Sequence, residues 1–343
     1  MNFGVQPATD ERQRTERERR RRVTAVSAWV ALAIGSATAA HAQRAPIETV
    51  EFHAESVDRT MKYNILLPSS YGDETNVDRD YPTLYLLHGT DRSFQTWRGM
   101  LQALDDRDLI IVMPDAGNSF YVNWTRTDDA GTNAWENYIV ADVVGHVEAN
   151  FRALSRREGR GIAGFSMGGY GALVIGLRHP DLFVTIGSQS GTLDYGRSAA
   201  ARLRIGGLAY PPQRYAPDVE SQRTVNDPDI GVPGFSSLSD RTPKGQPFVT
   251  SEQADAHDPF MLVMRVPRHQ LPFIQIDCGT GDALLNISQS FAGLLLDAAI
   301  PVEFSQRRGG HDPAYWVEAY RYAVDMHHKA MRHALERGSG NWR

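Results

Sequence analysis

The sequence predicts an α/β fold: one mostly parallel central sheet with helices on both faces. Continuous apolar runs such as Thr83-Leu84-Tyr85-Leu86-Leu87 carry the pattern of strands covered on both sides, as in a parallel sheet. These runs alternate with segments of helical periodicity, and that alternation implies right-handed crossovers. At 343 residues and 41% hydrophobic content, the chain is long enough to bury one large core.

Taken in order, residues 1–22 hold Arg12, Arg14, Arg17 and the run Arg19 to Arg22, followed by the apolar stretch Val23 to Ala40 and by Ala40-His41-Ala42. A basic region, an apolar region and a small-x-small site make up a secretory signal peptide, with cleavage expected after Ala42. Ser27, Gly35, Ser36 and Thr38 interrupt the apolar region, so removal is expected rather than a stable membrane anchor. The arginine pair also raises twin-arginine export, although Val23-Thr24-Ala25 continues that motif poorly. The expected location is secreted or periplasmic.

The mature domain is expected over 47–337. Thr49 to His53 and Met61 to Leu67 read as strands, then Thr83 to Leu87 as a strand ending in His88-Gly89-Thr90. Trp97 to Leu104 reads as a helix and Leu109 to Met113 as a strand. Trp135, Ile139, Val143, Val147 and Phe151 form an apolar stripe that predicts a helix from Trp135 to Phe151. Strand Gly161 to Phe165, helix Met167 to His179 before Pro180, and strand Val184 to Ser188 follow. Residues 191–257 carry many prolines and little periodicity, and read as an irregular insertion covering part of a site. Strand Pro272 to Asp277, helix Ser288 to Ala299, strand Val302 to Ser305 and helix Pro313 to Leu335 close the domain.

Composition excludes several functions. A net charge of −5, with many arginines confined to the N-terminal cluster, gives no footprint for nucleic acid. Cys278 is the only cysteine, so no intramolecular disulfide can form. It reads as a buried small hydrophobe. No Cys/His cluster has zinc-ligand spacing, and neither metal nor cofactor is expected. His269, His327, His328 and His333 are expected to face solvent, and His257 to lie in a loop.

The chemistry centres on Gly164-Phe165-Ser166-Met167-Gly168, a G-x-S-x-G pattern between a strand and a helix. Such a turn exposes the serine hydroxyl on a strained backbone. A serine needs a base, and the base needs an orienting acid. In α/β-hydrolases these follow in the order Ser, Asp or Glu, His, each after a strand. Asp282 follows the strand ending at Asp277, and His311 follows the one ending near Ser305. Asp277 ends its own strand and reads as a structural carboxylate. The backbone amides of Met167 and Thr90 are placed to form an oxyanion hole, with His88 as a packing residue. Asn118, Tyr121, Trp124 and Trp316 are expected to line the walls, or else to pack beneath loops.

Five separated stretches carry a family resemblance: Tyr81 to Gly89, Val112 to Tyr121, Gly164 to Ala172, Cys278 to Asp282, and Gly309 to Asp312. Together they resemble the esterase D-like α/β-hydrolases, over roughly residues 47–335. That family includes S-formylglutathione hydrolases, tributyrin esterases, feruloyl esterase domains and mycolyltransferases. The resemblance implies Ser166, Asp282 and His311 as a triad, with Thr90 and Met167 as oxyanion donors. It departs at Gly281, where members often carry Glu, and over 191–257. The expected activity is hydrolysis of small-molecule or carbohydrate-linked carboxylic esters, short-chain or feruloyl. Acyl transfer to a carbohydrate or lipid alcohol is the alternative, and a non-catalytic cell-envelope binding protein is the alternative from another class.

Overall fold

A computed structural model of the chain describes residues 46–101, 104, 106–127, 132–209 and 245–337. The expected export segment, 1–42, lies outside these residues, as does 210–244 of the expected insertion. The strands in chain order are β1 Glu48–Ala54, β2 Arg59–Leu66, β3 Thr83–Leu87, β4 Ile110–Pro114, β5 Arg126–Thr127, β6 Arg160–Phe165, β7 Thr185–Gln189, β8 Gly245–Gln246, β9 Phe273–Gly279 and β10 Glu303–Arg307. The helices discussed below are α1 Trp97–Leu101, α2 beginning at Trp135–Asn137, α3 Met167–Arg178, α4 Tyr195–Arg204, α5 Ser251–Asp255, α6 Pro259–Val263, α7 Leu285–Asp297 and α8 Pro313–Arg337.

Eight strands form one sheet in the order β1-β2-β4-β3-β6-β7-β9-β10. From β4 to β10 every neighbouring pair is parallel, while β1, β2 and β4 pair antiparallel. This is the mostly parallel sheet that the apolar runs predict. Along β3, Tyr85 and Leu87 enter one core, while Leu84 and Leu86 enter the other. The first core is filled by α2, α3 and α7 through Val143, Leu173 and Phe291. The second is filled by α1 and α8 through Trp97, Tyr320 and Val324. Each fully buried Leu or Val contributes about 1.5–3 kcal/mol, so both faces need their helices. Sequential crossovers bring the C-terminal ends of β3, β6, β9 and β10 to one rim, where ligands bind in such sheets.

Differences from the sequence reading are local. The predicted helix from Trp135 widens into π-helical turns at Tyr138–Val143 before continuing as Val144–Asn150. There Asp142 accepts a hydrogen bond from the Ser56 amide at 2.8 Å. The stretch 191–257 is not irregular throughout. Tyr195–Arg204 is a helix, because its alanine-rich sequence carries helix formers and the prolines begin only at Pro211. Gly245–Gln246 pairs with Arg126–Thr127, and Thr250 caps α5 by accepting from the Gln253 amide.

A buried carboxylate fastens this segment to the helix after the serine. Glu136 accepts from Arg178 at 2.8 Å and from His179 at 2.7 Å, and His257 lies 3.5 Å away. Burial alone would raise the Glu136 pKa, but the hydrogen bonds from His179 and His257 and the Arg178 charge outweigh it and hold it well below the usual range. Tyr170 donates to the His257 carbonyl at 2.8 Å, closing the same junction.

Candidate active site

Ser166 lies between β6 and α3 with φ 54° and ψ −121°, a conformation that β-carbon-bearing residues rarely adopt. The strain is imposed by close packing. A side chain at Gly164 would come within 2.4 Å of the Gly168 backbone, and one at Gly168 within 2.1 Å of the Leu87 carbonyl oxygen. Both glycines of the motif are therefore required by sterics. The turn is held by the Ser166 amide donating to Gln189 at 3.0 Å, and by Thr192 donating to the Ser166 carbonyl at 3.2 Å.

Three residues far apart in sequence meet at the rim. Ser166 Oγ lies 3.0 Å from His311 Nε2, and His311 Nδ1 lies 2.9 Å from Asp282 Oδ2. An ionised carboxylate only accepts, so Nδ1 carries the proton and Nε2 is left to accept from the serine hydroxyl. The Asp282 side chain is completely buried, whereas that of His311 is 37% exposed. Asp282 Oδ1 accepts from the Leu284 amide at 2.8 Å, which fixes the carboxylate plane. The His311 ring stands edge-on to Trp316, with centroids 5.0 Å apart. Trp316 in turn packs on Phe165, the residue before the serine.

The loop bearing His311 is anchored from below. Asp277, at 0% exposure, accepts from Ser305 at 2.5 Å and also from Arg307 and Tyr315. It thereby ties β9, β10 and the start of α8, the elements that flank His311. Burial and the Asp277 carboxylate together push the Tyr315 hydroxyl far above its ordinary pKa, so it stays a donor. The strand expected to end at Asp277 continues to Gly279, so Asp277 lies inside β9 with its carboxylate occupied by these three donors.

The two amides expected to form an oxyanion hole belong to Met167 and Thr90. Met167 opens α3, and the first amides of a helix have no acceptor within it. A side chain at Gly89 would lie 3.2 Å from Ser166 Cβ and 2.6 Å from the Phe165 ring, so Gly89 approaches the serine as only glycine permits. His88 is fully buried, donating from Nδ1 to the Gly89 carbonyl at 2.9 Å and accepting at Nε2 from the Ala116 amide at 3.0 Å.

Not every expected wall residue lies on a wall. Asn118 and Tyr121 are both 0% exposed. Asn118 is bonded to Asp91, and the Tyr121 hydroxyl donates to the His88 carbonyl at 3.0 Å, so both stand behind the loop that carries Thr90. Trp124 is buried, with Nε1 donating to the Ser119 carbonyl at 2.9 Å. Trp316 contacts the site through His311. His327 also departs from expectation, being completely buried rather than solvent-facing, with Nδ1 2.7 Å from Thr185 Oγ1. Among the described residues no group of His, Cys, Asp and Glu side chains could hold a metal ion. No helix among them is long and apolar enough to cross a membrane. Cys278 is buried, and burial raises its thiol pKa.

Residues 54–323 match the model of the Esterase family, described as putative esterase. The chain belongs to this esterase family. An esterase of Mycobacterium tuberculosis (strain H37Rv) is 35% identical over 144 residues, 41% of this chain and 31% of that protein. This chain therefore spans about a third of that relative's length. An acetyl esterase of Caldicellulosiruptor saccharolyticus is 24% identical over 278 residues, covering 79% of this chain and 93% of that one. The solved structure of a ferulic acid esterase is similar in fold, with a TM-score of 0.57 at 22% identity over 83% of this chain and 98% of that one.

Proposed function

We propose that this member of the esterase family hydrolyses carboxylic esters through an acyl-enzyme on Ser166. The observation that carries the reading is the unbroken line from Ser166 Oγ through His311 to Asp282, with links of 3.0 and 2.9 Å. His311 Nε2 takes the serine proton as Oγ attacks the ester carbonyl, and returns it to the leaving alcohol as the C–O bond breaks. Asp282 keeps the ring in the required tautomer and stabilises the imidazolium. The amides of Met167 and Thr90 receive the negative charge of the tetrahedral oxygen. Water, activated by the same histidine, then releases the acid.

The proposed substrates are short-chain acyl or feruloyl-type esters of small molecules or carbohydrates. Esterase relatives and the fold shared with a ferulic acid esterase support that class. We read the enzyme as exported, on the order of basic, apolar and small-x-small residues in 1–42. N-terminal sequencing of protein recovered outside the cytoplasm is expected to begin at Gln43, and a first residue within 1–22 would remove the export reading. Replacing Ser166→Ala is expected to lower p-nitrophenyl butyrate hydrolysis by about 10⁴-fold or more, with the circular-dichroism spectrum unchanged. An active alanine variant would overturn the proposal.

A further inference from the structure

Neither oxyanion donor is a side chain, so no substitution in the sequence can place them directly. What fixes the Thr90 amide must therefore be sought in its neighbours. The chain leaves β3 at His88, passes Ser166 at Gly89, and turns sharply at Asp91, whose φ of 58° is left-handed. Asp tolerates that region better than most residues but does not prefer it, so something must hold the turn.

Asn118, from the loop after β4, does so at two points. Its Oδ1 accepts from the Asp91 amide at 2.8 Å, and its Nδ2 donates to Asp91 Oδ1 at 2.8 Å. A carboxamide donates and accepts at once in this way, whereas an ionised carboxylate only accepts. On the other side of Thr90, the Gly89 carbonyl is taken by His88 Nδ1 and the His88 carbonyl by the Tyr121 hydroxyl. Tyr121 comes from the same loop as Asn118, and both are completely buried. The peptide groups flanking Thr90 are thus committed to partners fixed by one neighbouring loop.

We propose that Asn118 is a positioning residue for transition-state charge: through its two-point clasp on Asp91 it aims the Thr90 amide at the ester oxyanion. This rests on the reading of Ser166 as nucleophile. A carboxylate in place of the carboxamide cannot donate to Asp91 and sets two negative charges together, so the turn should open while the serine side stays intact. Losing an oxyanion donor outright costs about 10²–10³ in kcat, and a displaced donor less.

The test is steady-state kinetics with p-nitrophenyl butyrate alongside inhibition by a short-chain alkyl trifluoromethyl ketone, whose adduct with a serine carries the same oxyanion. Asn118→Asp is expected to lower kcat by about 10- to 100-fold with KM within about threefold, and to raise the inhibitor Ki by the factor by which kcat/KM falls. A purely structural role would reduce the amount of active enzyme and leave the Ki of the active fraction unchanged. The exchanged pair, Asn118→Asp with Asp91→Asn, restores a donor facing an acceptor and is expected to recover activity to within about fivefold. It also carries the test if the single variant does not fold. A folded Asn118→Asp protein with unchanged kcat and Ki, or a folded exchanged pair as impaired as the single variant, would overturn the proposal. Ser166→Ala run in parallel separates the two claims: if it still turns over ester, the nucleophile reading falls. If it is inactive while Asn118→Asp behaves as wild type, only the positioning claim falls.

Discussion

The two halves of the site are supported by different physics. On the proposed acid–base half, the reacting groups are side chains, and Asp277 ties the elements flanking His311 through Ser305, Arg307 and Tyr315. On the proposed oxyanion half, the reacting groups are main-chain amides, and the loop that carries Thr90 is bonded by the Asn118 carboxamide, the Tyr121 hydroxyl and the buried His88 ring. A developing imidazolium has its own buried carboxylate in Asp282, whereas a developing oxyanion is met by dipoles that must already be aimed. Chemistry carried by side chains can be deleted residue by residue, while chemistry carried by main-chain amides can only be misaligned.

That difference orders the expected effects. Removing the acid–base half is the most damaging. His311→Ala and Ser166→Ala should each cost about 10⁴-fold or more in kcat, and together little more than either alone, because they act as a unit. Additive losses, measured as kcat of the double variant, would break the coupling that the 3.0 Å contact implies. Asp282→Asn should cost about 10³- to 10⁴-fold by favouring the wrong tautomer, with KM little changed. The Asn118→Asp variant comes next, at one to two orders of magnitude. Asp277→Asn should act mainly on stability, by about 2–4 kcal/mol in urea unfolding, since it strips a buried carboxylate from partners that remain. A large kcat loss in that variant without destabilisation would show that Asp277 belongs to the chemistry.

The two halves also differed in legibility. That Ser166, Asp282 and His311 meet is legible in the sequence, because each is a reactive side-chain type just after a strand, in a fixed chain order. Gly89 marked the oxyanion loop because a close main-chain approach demands it. The Asn118–Asp91 contact is not legible in the sequence, since it depends on the loops after β3 and β4 meeting, and those strands are neighbours only in the folded sheet. Its amide suggests a polar wall, whereas the side chain is buried against Asp91. Within 191–257, the proline cluster from Pro211 onward obscured the regular Tyr195–Arg204 helix that precedes it.

His327 is a different case, because the signal was present. Trp316, Tyr320, Val324, His327 and Met331 fall on one stripe of α8, and all are buried. Burial holds the His327 imidazole down at about 3, below its ordinary value of 6.5. The folded state then binds a proton less readily than the unfolded state. Stability from this group is complete above about pH 6.5 and is lost as pH falls toward 3, by about 5 kcal/mol at most. Thermal melting across that range should show the loss, and His327→Gln, which keeps a polar partner for Thr185, should flatten it. An unchanged pH profile in the variant would mean that other groups govern acid sensitivity. This effect falls on the scaffold, and at neutral pH it leaves turnover unchanged.

The most direct test of the central claim is to quench the enzyme during turnover of a slow ester and map the acyl group by peptide mass spectrometry. The acyl group is expected on the peptide carrying Ser166, and absent from that peptide in the Ser166→Ala protein, which should also have lost turnover. An acyl group found on another residue, or undiminished hydrolysis by Ser166→Ala, would contradict the account.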